Sequence, residues 1–168
     1  AFGSLSIVIE KYPNVITLVS IGIIVLLGTM NCVGCTTFSR EGKSFWIARI
    51  VPIKIEHQIV GRVLSSLFIQ FIAIATFLIC ISFIFTLNVA DILWITILGF
   101  IGSVPTTEIG MIIDVMRPLL EWDNPQKAMK ENLNVLIAMG LGALYLFLIG
   151  VLVYFMITKL GANPSLVI

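Results

Sequence analysis

Apolar residues in this chain run in four long blocks rather than alternating with polar ones. The blocks are Val15 to Cys35, Val63 to Leu87, Ile92 to Ile113 and Leu133 to Thr158. A buried strand uses four to eight apolar residues, whereas a helix needs about 20 to cross the hydrocarbon layer, where every backbone polar group must be paired within the segment. The pattern predicts an all-α, polytopic membrane protein with four transmembrane helices. Only Asn88-Val89-Ala90-Asp91 separates the second block from the third, which predicts a tight helical hairpin. Residues 36–62 and 114–132 form two longer, polar connections.

Basic residues orient the spans, because Lys and Arg near span ends stay on the cytoplasmic side. Arg40, Lys43, Arg49, Lys54 and Arg62 lie in the first connection and Arg117, Lys127 and Lys130 in the second, while only Lys11 and Lys159 lie opposite. Both connections are therefore expected in the cytoplasm of a multi-pass protein of the cell membrane, with both ends of the chain outside.

Composition agrees. The 168 residues are 59% hydrophobic and 11% charged, with a mean hydropathy of +1.11, where a soluble domain carries about 25% charged residues. A net charge of +1 gives no reason to expect nucleic acid as a partner. The first block follows Glu10-Lys11 and no basic leader, so no signal peptide is expected. Residues 1–168 read as one transmembrane domain, and spans so close to both ends point to a piece of a longer polypeptide.

Within the spans, Gly99, Ser103 and Thr107 are four apart, as are Ala138 and Gly142. Such stripes let helix backbones approach in lipid; packing inside one bundle and a substrate groove both fit them. Pro105 frees a carbonyl and is expected to bend the third span.

The first connection holds the densest chemistry. Gly42-Lys43-Ser44 copies the end of a phosphate-binding loop, but Thr37 stands where that loop needs its first glycine, and an apolar run of helical length precedes it. Direct nucleotide binding is not expected there. Phe45, Trp46, Ile47, Ile50 and Val51 interleave with Lys43, Ser44 and Arg49, which predicts a helix lying at the headgroup level. Pro52 then suits a corner and an early position of the next helix, whose apolar face continues through Ile55, Ile59 and Val63.

In order, Arg40-Glu41-Gly42, an apolar helix, Pro52, and Gly61-Arg62 before a span resemble the acidic-glycine, proline, glycine-basic pattern of exporter-class ATP-binding-cassette (ABC) transporter permeases. The stretch DVMRPLLEWDNPQKAMKENLN, residues 114–134, is similar to a segment of a bacterial subgroup of these permeases. The resemblance spans about residues 36 to 136; Ser39 and Lys43 depart from its usual residues. It implies that the first connection is an interfacial coupling helix that docks on a separate ABC ATPase subunit. ATP and Mg would then belong to that subunit, with no cofactor and no catalytic residue in this chain. A second permease half, or a second copy in a homodimer, would complete the pathway, in contact with membrane lipid. Arg40, Glu41, Gly42, Phe45, Trp46 and Pro52 are the expected coupling residues. For Trp46, anchoring in lipid fits as well as anchoring to a partner.

In the second connection Asn124-Pro125 suits a helix start that runs into the fourth span, with Lys127 and Glu131 paired on its exposed face. Asp114, Arg117, Glu121 and Asp123 read as an acidic, solvated loop, or as one touching the ATPase or the basic first connection. Cys32 and Cys35 form a C-x-x-C, but a closed zinc site needs four ligands, so they read as apolar cysteines and no metal is expected. Glu108 is the one acidic residue well inside a span. It is a candidate intramembrane polar site, for proton relay or substrate contact, and also a candidate for snorkelling. Two rivals to the permease remain in view: an intramembrane enzyme using Glu108 and Asp114 as acids, and a non-transporting membrane scaffold or sensor.

Overall fold

The computed structural model describes residues 13–124, 126 and 132–159. It is all-helical. Helix α1 (Pro13–Thr29) is followed by a single turn, α2 (Cys32–Cys35). Then come a 3-10 turn (Ser39–Ser44), a short α3 (Ile47–Ile50), and the long helices α4 (Ile55–Ser82), α5 (Val89–Met116) and α6 (Leu133–Lys159). The stretch Val15–Ser44 and the helices α4, α5 and α6 are long and apolar enough to cross a membrane, which makes the chain a polytopic membrane protein.

Helix α5 is the centre of the bundle, and close backbone approach explains why. A Cβ added at Gly99 would lie 2.9 Å from Ile24, and one at Gly28 would lie 2.7 Å from Thr106 Oγ1, so α1 and α5 interlock through their glycines. Gly142 brings α6 against Thr29 in the same way. Gly99, Ser103, Thr107, Ala138 and Gly142 are all buried, so both small-residue stripes serve packing inside the bundle. Ile24, Ile74 and Ile95 form the apolar core, beside which Gln70 donates to the Ile24 carbonyl at 3.3 Å.

Four boundaries differ from the expected ones. The first span is interrupted at Met30-Asn31: Asn31 caps α2 by accepting from Val33 N at 3.2 Å and donates Nδ2 to the Ser66 carbonyl of α4 at 3.0 Å. Helix α4 begins at Ile55, ahead of the hydrophobic block as the Ile55, Ile59 and Val63 face suggested, but three residues past Pro52. The hairpin turn is 83–88, with Asn88 and Asp91 bonded across the first turn of α5 at 3.3 Å. Helix α6 has its own cap, Asn132, whose Oδ1 accepts from Asn134 N at 3.0 Å, so it does not continue unbroken from Pro125. Asn124 Oδ1 does accept from Gln126 N at 3.0 Å, as a start there requires. The expected Lys127–Glu131 pair, like Lys11, lies outside the described residues. Pro105 sits within α5, which continues past it.

Candidate functional site

The expected surface helix is instead an elbow of two short helical pieces. The 3-10 turn is broken at Gly42, whose φ of 50° and ψ of −128° favour a residue without Cβ. Pro52 falls in a bend after α3, outside any helix, and Ile53 N reaches back over it to the Val51 carbonyl at 2.8 Å. That bond is an inverse γ-turn, for which proline's φ is already set. Proline thus makes the corner but does not open α4, whose cap is Lys54.

The elbow is clamped on two sides, and Ser39 is the centre of one clamp. Its hydroxyl donates to Asp114 Oδ1 and accepts from Leu119 N at 2.9 Å. Its N–H donates to Asp114 Oδ2 at 3.0 Å, beside that of Phe38 at 2.6 Å, and its carbonyl accepts from Trp122 Nε1 at 2.9 Å. Asn134 of α6 completes the set, donating Nδ2 to Asp114 Oδ1 at 3.2 Å and to the Arg117 carbonyl at 2.6 Å. Asp114 and Ser39 are wholly buried. A carboxylate in the last turn of its own helix faces the negative end of the dipole. Here it is stabilised because it also sits at the N-terminus of the 3-10 turn, whose first N–H groups aim at it.

The second clamp joins the elbow to α4. Arg62 pairs with Glu41, donates to the Thr37 carbonyl at 3.2 Å and places its guanidinium 4.4 Å from the Phe38 ring centroid. Phe38 meets Phe45 edge to face at 6.2 Å. An apolar cleft of about 440 Å³ lies beneath, lined by Phe38, Phe45, Val51, Ile59 and Val115 among others.

The expected coupling residues therefore divide. Glu41 is engaged within the chain, with Oε2 buried and without a hydrogen-bond partner. Gly42 lies under the Trp122 ring and Phe45 is half-buried. Arg40 is exposed, its guanidinium 3.4 Å from the Thr36 and Val33 carbonyls. Trp46, Ile47 and Ile50 are 59%, 48% and 67% exposed at the tip. Glu108 is apart from this set, half-buried on α5, with Oε1 covered and without a hydrogen-bond partner.

Of the two readings of the second connection, the contact with the first connection holds for Asp114: it lies in the last turn of α5 and, with Trp122, holds the elbow. Nothing local marks Ser39 or Asn134. Asp114 carries a faint signal, since an acid closing an apolar helix needs donors from elsewhere. Gly42-Lys43-Ser44 closes a 3-10 turn and joins no strand to a helix. Among the described residues no group of three or more His, Cys, Asp or Glu is placed to hold a metal ion. Cys35 is buried against Gly110.

Set beside protein families, characterised proteins and solved structures, the chain matches none.

Proposed function

We propose that the chain is a membrane-spanning component of an ABC permease and that the elbow, residues 36–54, is its coupling surface. One observation carries this reading. The elbow is bonded to α4 through Arg62, to α5 through Asp114 and to residues 119–122, while its tip leaves Trp46, Ile47 and Ile50 open. A device that turns closure of a soluble ATPase into helix movement needs such a part: stiff, continuous with several spans, and apolar where it is touched. Connections 36–62 and 114–132 then face the cytoplasm of the cell membrane. A separate ATPase subunit holds ATP and Mg, and a second permease half or copy completes the path.

In this reading the roles within the elbow differ. Trp46, Ile47 and Ile50 make contact, while Arg40 and Lys43 select the partner by charge. Glu41, Gly42, Phe45 and Pro52 hold the shape. The enzyme reading gains no support from geometry: Glu108 and Asp114 are six residues apart on one helix, about 120° around it, and so lie on different faces.

The test is recovery of the full-length chain from its own membranes in mild detergent, with partners identified by mass spectrometry. An ABC ATPase recovered with the wild type and lost at least tenfold with Trp46→Ala, at unchanged thermal stability, would support the reading. If no ATPase accompanies the folded chain in any nucleotide state, the reading falls. If Trp46→Ala only weakens binding to liposomes, the elbow is a lipid anchor.

A further inference from the structure

Glu108 lies on the wrong face for a charged group. Residues four, seven and eleven positions away share its side of α5. They are Ile112, Ile101, Val115 and Ile97, exposed by 58%, 61%, 53% and 48%, and Val104, which is half-buried. Most buried residues of the same helix, Ile95, Gly99, Ser103, Thr106 and Gly110 among them, lie on the opposite side, with Met111 at the edge of the stripe. Glu108, itself half-buried, therefore borders an open apolar stripe of α5. Its Oε1 is tucked in without a hydrogen-bond partner.

Depth makes this costly in lipid. Helix α5 has 28 residues, roughly 42 Å at about 1.5 Å per residue, against a hydrocarbon layer of about 30 Å. With the helix centred, Glu108 falls several ångströms inside the boundary nearer Met116. Snorkelling to that boundary works against the helix, because side chains lean toward the N-terminus, here toward the membrane interior. Pro105, one turn away, has no N–H to offer the Ile101 carbonyl, so the same stripe holds a second acceptor short of its usual donor. Ionisable groups at such depth face protein or a water-filled cavity.

We propose that the outer stripe of α5 around Glu108 is an intramembrane interface, occupied by a spanning helix of a different chain that presents a Lys or Arg at the depth of Glu108. Charge complementarity selects the partner: a buried carboxylate and a neighbouring carbonyl call for a cationic donor. A second copy of this sequence does not supply one, because 12–35, 63–116 and 133–158 contain no Lys or Arg. The inference holds whichever soluble partner the elbow takes.

Two measurements test it on the full-length chain in its native membranes. The first labels Glu108 of the unmodified protein with a hydrophobic carbodiimide, which reaches carboxyls facing lipid. At least tenfold slower labelling in native membranes than in the detergent-purified chain is expected; equal labelling overturns the proposal. The second places a photo-cross-linking residue at Ile112, with Phe147 on α6 as the control position. An adduct from Ile112 alone, with a protein bearing a basic residue within a span, and a tenfold loss of it in Glu108→Gln, are expected. An adduct with lipid only, or with a second copy of this chain, overturns the proposal.

Discussion

The indole of Trp122 lies against the backbone of Gly42, so closely that a Cβ there would stand 2.6 Å from the ring. Gly42 is thus required twice, by its positive φ and by the ring above it. Gly42→Ala is expected to cost about 2 kcal/mol from backbone strain alone, a fall of several degrees in the thermal midpoint. Trp122→Ala in the same chain removes the clash and leaves the strain. The double variant should therefore be more stable than the sum of the singles predicts, which thermal unfolding in detergent measures. Simple additivity would mean that the two residues do not touch.

Asp114 supplies both oxygens to four donors, so its replacement by Asn is not conservative. Whichever way the amide is turned, its NH2 meets an N–H or the Ser39 hydroxyl where an oxygen was. Asp114→Asn should cost about 1–3 kcal/mol, and Asp114→Ala more, since all four donors then lose their acceptor. Hydrogen exchange is the sensitive readout: the amides of Phe38 and Ser39 should lose protection in both variants, while those in the middle of α4 keep theirs. Unchanged exchange at Phe38 and Ser39 would show that the carboxylate does not hold the elbow.

The four spans were legible because each is announced by length and unbroken hydrophobicity, properties that one segment carries alone. Asn31 was not, since a single amide hardly lowers the hydropathy of a block that continues to Cys35. The elbow was half-legible: Gly42 and Pro52 do turn the chain, but of the surface helix that its apolar residues suggested only the single turn of α3 is α-helical, after a 3-10 turn. The Ser39–Asp114 clamp was hidden for a different reason. Its members are 75 residues apart, and bonds across that separation leave no periodicity. The same holds for Glu41, whose engagement with Arg62 is a property of how α4 lies beside the elbow.

Arg62 makes three different contacts at once, and lysine can reproduce only the charge. A guanidinium bonds Glu41 and the Thr37 carbonyl through separate nitrogens while its flat face rests on Phe38; an ammonium has neither the fork nor the face. Arg62→Lys should therefore loosen the elbow nearly as much as Arg62→Ala. A double-mutant cycle with Glu41→Gln should give a coupling of about 1 kcal/mol, modest because both side chains are partly exposed. Full stability in Arg62→Lys would reduce the clamp to a simple ion pair.

Asn31 acts at a distance if the elbow is set by where the first span breaks. Its carbonyl oxygen Oδ1 caps α2 and its amide holds the Ser66 backbone, and α2 in turn lies against α5 so tightly that Gly34 admits no Cβ beside the Thr107 carbonyl at 2.9 Å. Asn31→Leu removes both bonds and favours a helix that continues straight through. The local cost is about 1–2 kcal/mol, from one lost cap and one lost amide bond. The larger consequence is geometric: an unbroken helix would turn Cys35 away from Gly110 and carry Phe38 and Ser39 off the Asp114 carboxylate. Hydrogen exchange at Phe38 and Ser39 should then rise in Asn31→Leu as it does in Asp114→Asn, although the substitution is seven or eight residues away. Asn31→Asp, which keeps the cap acceptor but cannot donate to Ser66, should fall between Asn31→Leu and the unmodified chain. If exchange changes only within α2, the break in the first span and the elbow are independent, and the first span does not help to position the tip that carries Trp46.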